Sequence, residues 1–304
     1  MGKKSVNNPP SGTHADHLRF VRTFDDLAVA TRPWRDKKKK IALVPTMGAL
    51  HEGHMALITK ACDIAERTIV SIFINPQQFA PSEDLDTYPR DEAHDVRLLK
   101  AAGVDLVWAP SGESMYPDGF ATKVQLEGAA LGLETAFRPH FFTGVATVVL
   151  KLFNQVAPDI AVFGQKDYQQ LCVIRQMVRD LDLGVEIVSV PTVRESDGLA
   201  LSSRNSYLSP SERALAPTFN RVLREVAAAV STLGERHDEL DVILSKARQS
   251  LQDCGFKSVD YIEVRRAETL GPFEASTGGP ARVLGAVWLS GTRLIDNVPV
   301  PPEG

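Results

Sequence analysis

Cysteine is scarce in this chain of 304 residues: three occur, Cys62, Cys172 and Cys254. They are far apart, odd in number and match no metal-ligand spacing, so they read as core cysteines in a reducing compartment. No apolar run approaches the roughly 18 residues that a membrane-spanning helix needs. Charge of one sign is lacking too. The 34 Lys and Arg against 38 Asp and Glu give a formal net charge of −4, which is no footprint for nucleic acid. Met1-Gly2-Lys3-Lys4-Ser5-Val6 has no apolar signal region, and Val6 stands where a myristoylation pattern needs Ser or Thr. Repeats and low-complexity segments are missing. The expectation is a cytoplasmic protein without nucleic-acid or membrane partners.

What is present describes an ordinary globular protein. The hydrophobic fraction is 43% and the charged fraction 24%, and the length leaves room for two domains and a sizeable core. Residues 1–17 are polar and rich in Pro, Asn and Lys, which predicts a disordered tail. Helix-like spacing over 18–31 is stopped by Pro33. Residues 41–44 and 68–74 read as buried strands, 105–108, 159–163 and 185–190 as further strands, and 122–128 as another extended piece. Helices are expected from Met55 through Ala65, over 90–102 and 144–156, and after 163, where Leu171, Ile174, Val178 and Leu181 share a face. Such alternation predicts an α/β fold with βαβ units and a Rossmann-like, largely parallel sheet over 18–198.

From about 199 the pattern changes. Two amphipathic helices are expected around 210–233 and 238–254, the first opened by Ser209-Pro210-Ser211-Glu212 and the second stopped at Gly255. Strands follow at 259–264 and 282–289, the latter running into a turn at Ser290-Gly291-Thr292. Residues 199–304 are thus read as a smaller α+β domain.

Four polar signatures punctuate this order. The first is Pro45-Thr46-Met47-Gly48-Ala49-Leu50-His51-Glu52-Gly53-His54, between an apolar strand and a helix. A strand, a glycine-bearing turn and a helix N-terminus make a place where backbone N–H groups favour anions. Two histidines there can donate to phosphate oxygens whose charge grows in a transition state. A zinc protease needs H-E-x-x-H, and here the histidines are one residue too close. A P-loop needs Lys and a hydroxyl where His54-Met55 stands. The other signatures are Asn75-Pro76-Gln77-Gln78-Phe79, Gly164-Gln165-Lys166-Asp167-Tyr168-Gln169-Gln170 and Leu201-Ser202-Ser203-Arg204-Asn205. Polar side chains outside the carboxyl ends of strands in an open sheet are well placed to bind ligands. Taken singly, each has a plainer explanation: a capped loop at 75–79, a surface Lys166, a core Val193, turn-forming Ser202 and Ser203.

Together they carry a resemblance. His51-x-x-His54 resembles the HxGH signature of the nucleotidyltransferase superfamily. The decapeptide and the three later motifs, in order across about 20–297, resemble the pantoate–β-alanine ligase family. The last motif is similar to the superfamily's mobile KMSKS-type loop. The resemblance implies a two-step reaction. Pantoate attacks the α-phosphorus of ATP to give pantoyl adenylate and pyrophosphate, and the β-alanine amine then displaces AMP. It implies His54, as proton donor, with His51, Lys166 and Arg204 as catalytic groups. It places ATP against Met47, Gly48, Ala49, Leu50, His51, Glu52, Gly53 and His54, against Gly164, Gln165, Lys166 and Asp167, against Val193, and against Leu201, Ser202, Ser203 and Arg204. Mg²⁺ would share the phosphate charge, and no protein metal site is expected. Gln78 and Gln170 would hydrogen-bond pantoate. A homodimer, with the C-terminal domain as lid and dimer element, is implied in the same way.

One segment departs from the family. Where R-P-G-H-F-x-G-V is usual, this chain has Arg138-Pro139-His140-Phe141-Phe142-Thr143-Gly144-Val145, so Phe141 takes the histidine position and His140 does not inherit its role. Leu201 likewise stands where methionine commonly precedes the serines. Another HxGH adenylyltransferase would share the histidines without needing the two glutamine motifs. An aminoacyl-tRNA synthetase would need an RNA-binding domain, and a non-catalytic relative should have lost a phosphate-contacting residue.

Overall fold

The computed structural model describes residues 18–81, 83–234, 236, 239–273 and 279–302, so the expected disordered tail lies outside the described residues. The first element corrects the sequence pattern. Residues Arg19–Val21 form a short strand, β1, and the Thr23 side chain then accepts from the Asp26 N–H at 3.2 Å to start helix α1 (Phe24–Asp36). The helix runs through Pro33 instead of stopping before it. The carbonyl that Pro33 leaves without a helical partner belongs to Val29, whose side chain is solvent-exposed.

The chain then alternates: β2 (Ile41–Thr46), α2 (Glu52–Ile64), β3 (Arg67–Ile72), α3 (Glu92–Ala101) and β4 (Leu106–Trp108). After the short helices α4 (Gly112–Met115) and α5 (Glu134–Phe137) come α6 (Phe141–Val156), β5 (Ile160–Gly164), α7 (Tyr168–Asp180) and β6 (Glu186–Val190). The expected strand at 122–128 is absent. The Val124 N–H donates to the Thr147 hydroxyl on α6 at 3.0 Å, so this segment is pinned to a helix side chain and joins no ladder.

The six strands pair in parallel in the order β1-β4-β3-β2-β5-β6. Side chains alternate faces with period two, and the packing follows. Ile41, Leu43, Ile69, Leu106, Trp108, Ala161 and Phe163 pack in one cluster with Leu27 of α1, Val145 of α6 and Leu171 of α7. Ala42, Val44, Val70, Val107, Ile160 and Val162 pack in another with Ile58 and Ala61 of α2 and Leu99 of α3. Both faces are covered, as a parallel sheet requires. Each large aliphatic side chain so buried contributes about 1.5–3 kcal/mol.

Strand order reverses beside β2. It pairs with β3 as far as Thr46↔Ile72, but with β5 only at Ala42↔Ile160 and Leu43↔Ala161. β5 stays with β6 out to Gly164↔Val190. The sheet therefore parts between β2 and β5 at its carboxyl edge, and the first and third polar signatures leave from the two lips of that opening.

The C-terminal part holds α8 (Pro210–Leu215), α9 (Pro217–Ser231) and α10 (Glu239–Asp253), followed by an antiparallel sheet β7-β8-β9 (Ser258–Arg266, Ala281–Leu289 and Thr292–Val300). The single helix expected around 210–233 is divided at Ala216 because Pro217 has no N–H and starts a new helix. The turn at 290–292 returns as a full strand, β9, whose Pro299 is tolerated because β9 lies at the sheet edge. A third apolar cluster draws on residues from Leu199 to Val298. Tyr261, Leu284 and Ala286 instead join the cluster under α6 and α7, so the two parts share a core.

Beside that shared core lies an ionic clamp. Glu134 of α5 accepts from the Tyr261 hydroxyl at 2.8 Å and from Arg293 Nη1 at 2.8 Å, while Arg293 Nε donates to Asp260 at 2.7 Å. Burial alone would raise the Glu134 carboxyl; the hydrogen bonds and charge of Arg293 and Tyr261, with Arg138, outweigh it and hold it below the usual carboxylate range.

The loop after β3 carries a single turn of 3-10 helix, Pro76–Gln78, on which α6 rests its first turn. A Cβ at Gly144 would lie 2.3 Å from the Gln77 carbonyl oxygen. Gly144→Ala should thus destabilise the protein by about 2–3 kcal/mol or more. Gly112→Ala, whose Cβ would meet nothing within 4 Å, should change stability by under about 0.5 kcal/mol. Chemical denaturation of the two variants beside the parent checks the contrast; equal midpoints would refute the close approach.

Candidate active site

The opening between β2 and β5 leads into a cavity of about 1120 Å³. Met47, His51, Gly53, His54, Gln78, Gly164, Lys166, Asp167, Gln170, Val193, Leu201, Ser202, Ser203 and Arg204 all line it. These residues come from five separate segments of sequence, and the fold brings them to one place.

The two histidines are organised by the start of α2. The Gly53 N–H donates to His51 Nδ1 at 3.1 Å, and the His51 N–H donates to His54 Nδ1 at 3.3 Å. Each ring thereby caps a backbone donor that the helix leaves free. A Cβ on Gly53 would come within 2.8 Å of the His51 ring, so only glycine lets that ring fold back over the helix end. With Nδ1 accepting, the neutral tautomer carries its proton on Nε2, and that N–H is the donor each ring retains. The ring centroids are 4.1 Å apart. Burial, and then the Lys166 charge, push His51 down to about 4; burial, His51 and Lys166 push His54 down to about 3. Both rings are neutral at pH 7.

Of the residues expected to contact nucleotide, the exposed Glu52 and the half-buried Gln165 do not line the cavity, and neither do Gly48, Ala49 and Leu50. The physical reason is Asp95 of α3. Its carboxylate accepts from the Ala49 N–H at 2.9 Å and the Leu50 N–H at 2.8 Å, while the Gly48 N–H goes to the Thr46 hydroxyl at 3.2 Å. The anion that the turn's backbone amides attract is thus supplied by the protein. Asp95 is 2% exposed, and burial raises its carboxyl above the usual range despite those donors. Gln165 instead faces the C-terminal sheet. The Asn297 amide donates to the Gln165 and Lys166 carbonyls at 2.9 and 2.8 Å, fastening the turn that presents Lys166.

Arg204 is held as well. Its Nη2 and Nε donate to the two oxygens of Asp84 at 2.7 and 3.1 Å, and the Ser203 hydroxyl donates to the Ala49 carbonyl at 3.3 Å. Burial would raise the Asp84 carboxyl, but Arg204 outweighs it and keeps it below the usual range. The 201–205 loop is therefore docked on the β2 and β3 loops. Phe141 lines the cavity with its ring 3.9 Å under the Arg138 guanidinium, whereas His140 is exposed and outside.

Comparison with known proteins decides the family. The model of the pantoate-beta-alanine ligase family matches residues 19–299. The chain belongs to the pantoate–β-alanine ligase family. A pantothenate synthetase from Mesorhizobium japonicum is 54% identical over 281 residues, covering 92% of this chain and 97% of its own. One from Bradyrhizobium sp. is 52% identical over 283 residues, covering 93% and 98%. The crystal structure of a Thermus thermophilus pantothenate synthetase superposes with a TM-score of 0.84 at 46% identity, covering 93% of this chain and all of that one. A Francisella tularensis pantoate-beta-alanine ligase, solved as a complex with Beta-gamma ATP and Beta-alanine, gives 0.77 at 32% identity over 92% and 97%. The protein is a carbon–nitrogen bond-forming ligase of pantothenate biosynthesis, and the parallel sheet with its small antiparallel partner is the fold of these ligases. No helix of the described residues is long and apolar enough to cross a membrane.

Asp84 and Asp95 are the participants that the sequence left unmarked. One lies in a loop and one in the first turn of α3, and neither position carries a pattern that separates a structural carboxylate from a solvated one. The buried histidines have a measurable consequence for stability. An unfolded histidine binds its proton near 6.5, while the folded His54 does so only near 3. Between those values the unfolded chain holds more protons, so stability is full above 6.5 and declines as pH falls through this window. His54→Asn, whose Oδ1 can replace Nδ1 as the acceptor of the His51 N–H, should flatten that acid decline. Denaturant midpoints at pH 7 and at about pH 4.5 measure it; parallel losses in both proteins would show that His54 is not the depressed group.

Proposed function

We propose that the cavity binds ATP and pantoate side by side and forms a pantoyl adenylate before β-alanine reacts. The observation that carries this is the pair of neutral imidazoles, each with Nδ1 engaged and Nε2–H free, in a cavity that also holds Lys166. A hydrogen-bond donor fixed in place costs no reorganisation as charge builds on the phosphates. His54 and His51 serve as such donors; with their pKa values held low, they act as polarising N–H groups and not as resident cations. Lys166, Ser202, Ser203 and Arg204 neutralise the β- and γ-phosphates, with Arg204 exchanging its Asp84 partner for phosphate. Gly164 and Asp167 meet the ribose, Val193 the adenine, and Met47, Leu201 and Gly53 complete the nucleotide's surroundings. Gln78 and Gln170 hydrogen-bond pantoate.

Mg²⁺ comes in on the triphosphate in this reading. Among the described residues, no group of three His, Cys, Asp or Glu side chains could hold a metal ion, while Asp84 is one of the carboxylates that line the cavity and could meet a phosphate-bound cation. The ion would neutralise the leaving pyrophosphate. In the first step the pantoate carboxylate oxygen bonds to the α-phosphorus and the bond to the bridging β-phosphate oxygen breaks. In the second, the amine bonds to the acyl carbon, AMP leaves with the former carboxylate oxygen, and the amine loses a proton. Residues 18–198 then supply most of the substrate contacts, and 199–304 bring the 201–204 loop and close the cavity from the other side, in a cytoplasmic homodimer like that implied by the family resemblance.

Labelled pyrophosphate should exchange into ATP with pantoate and Mg²⁺ present and β-alanine absent. His54→Ala should cut that exchange by about 10²–10³-fold, the usual loss for one preorganised donor, while ATP binding falls far less. Exchange that requires β-alanine would overturn the free-standing adenylate.

A further inference from the structure

We infer that Tyr116 is a positioning residue for the hydroxy-acid substrate: acting through Asn75, it locks the Gln78 side chain so that only amide N–H groups are offered to the cavity. The inference deepens the proposed function, since it rests on Gln78 being a pantoate-binding residue.

The polarity of this chain of bonds follows from backbone groups, which cannot change roles. Asn75 is 1% exposed. Its Oδ1 accepts from the Gln77 N–H at 3.3 Å, and its Nδ2 donates to the Gly144 carbonyl at 3.1 Å. An N–H can only donate and a carbonyl can only accept, so these two partners identify the two ends of the Asn75 amide. The Tyr116 oxygen lies 2.7 Å from Oδ1 and therefore donates to it. The second Nδ2 hydrogen goes to Gln78 Oε1 at 3.2 Å. With its carbonyl taken, Gln78 is left with Nε2, which lies 3.0 Å from the Met47 sulfur, a weak acceptor.

Gln78 lines the cavity and Tyr116 does not. The tyrosine ring sits between Phe73 and Phe120, with centroids 6.2 and 5.1 Å away. Burial raises its hydroxyl pKa above the ordinary tyrosine value, so it remains a protonated donor throughout the working range. The Tyr116 bond is the shortest of the four that the Asn75 side chain makes. Without it, the Asn75 amide is anchored at the oxygen end by one long backbone bond, and Gln78 gains the freedom to turn its carbonyl towards the cavity.

The functional consequence is selectivity. A donor-only amide donates to carboxylate and hydroxyl oxygens but meets an ammonium with N–H against N–H. The site should therefore favour the hydroxy acid over analogues in which a hydroxyl is replaced by an amine, and Tyr116 should set part of that preference although it touches no substrate.

The test is steady-state kinetics on Tyr116→Phe, Gln78→Ala and the double variant, with pantoate and its 2-amino and 4-amino analogues as competitors. Phenylalanine keeps both ring contacts, so the fold is retained. Tyr116→Phe should raise the KM for pantoate about 3–10-fold, the range for one hydrogen bond, leave the KM for ATP unchanged and move kcat less than about twofold. It should narrow the preference for pantoate over at least one amino analogue. On the Gln78→Ala background it should add no further rise in the KM for pantoate. If Gln78→Ala raises that KM but Tyr116→Phe multiplies it by the same factor with or without Gln78, the relay is overturned and the pantoate site stands. If neither analogue ratio moves in Tyr116→Phe, the relay is likewise overturned. If Gln78→Ala leaves the KM for pantoate unchanged, the substrate assignment of Gln78 fails and the relay with it.

Discussion

The short pairing between β2 and β5 is the constraint on which the site depends. Two register pairs hold these strands together at their amino ends, and beyond Leu43 and Ala161 they separate, although each remains fully paired with its outer neighbour. Chain reversal forces this. After β4 the polypeptide crosses back over the sheet, so helices on the two sides of the reversal lie on opposite faces and the loops above β2 and β5 turn away from each other. A cavity lined by polar groups results without any element having to be distorted. The capped histidines leave from one lip and Lys166 from the other, and residues of the C-terminal part line the cavity opposite them.

Within that opening, the protein neutralises its own attractive groups. The β2 turn amides are occupied by Asp95 and the Arg204 guanidinium by Asp84, while the histidines stay uncharged. Two carboxylates thus stand where a nucleotide's oxygens would otherwise be the first anions to arrive, with different standing. Asp95 is sealed behind the wall and fixes the turn. Asp84 lines the cavity and holds the Arg204 guanidinium there. A positively charged pocket left unpaired would carry the desolvation cost of each cation; pairing them offsets it. In the proposed reading, binding is an exchange of partners at Arg204, with Lys166 already lining the cavity.

The fold is legible in the sequence wherever apolar spacing carries it. Strands β2, β3, β4 and β5 stand out as largely apolar runs because both faces of the sheet are covered there, while the edge strand β6 is only half-buried. The failures are local and each has a cause. Pro33 reads as a stop, but its orphaned carbonyl lies on an exposed face of α1. Pro217 hides inside an amphipathic pattern that two helices share. Val124 and Leu126 have the alternation of a strand and spend it on packing against the core, while the backbone bonds to Thr147. Fourteen of the site residues singled out in the sequence line one cavity. Four residues of the decapeptide, Gly48, Ala49, Leu50 and Glu52, do not line the cavity, because motif membership does not tell which residues face it. Asp84, Asp95 and Tyr116 act through partners distant in sequence, and no local spacing marks such pairs.

The Glu134–Arg293–Tyr261 clamp bears on how the molecule comes apart. Glu134 belongs to the parallel-sheet part and its partners to the antiparallel one, and all three are withdrawn from water. Removing either part would strand a buried charge, a loss of about 3–5 kcal/mol for a broken pair, and would bare the apolar cluster that Tyr261, Leu284 and Ala286 complete. The boundary near 198 therefore divides the chain by topology and not by cooperativity. The shared cluster and the clamp couple the two parts, so a single unfolding transition is the outcome expected of them.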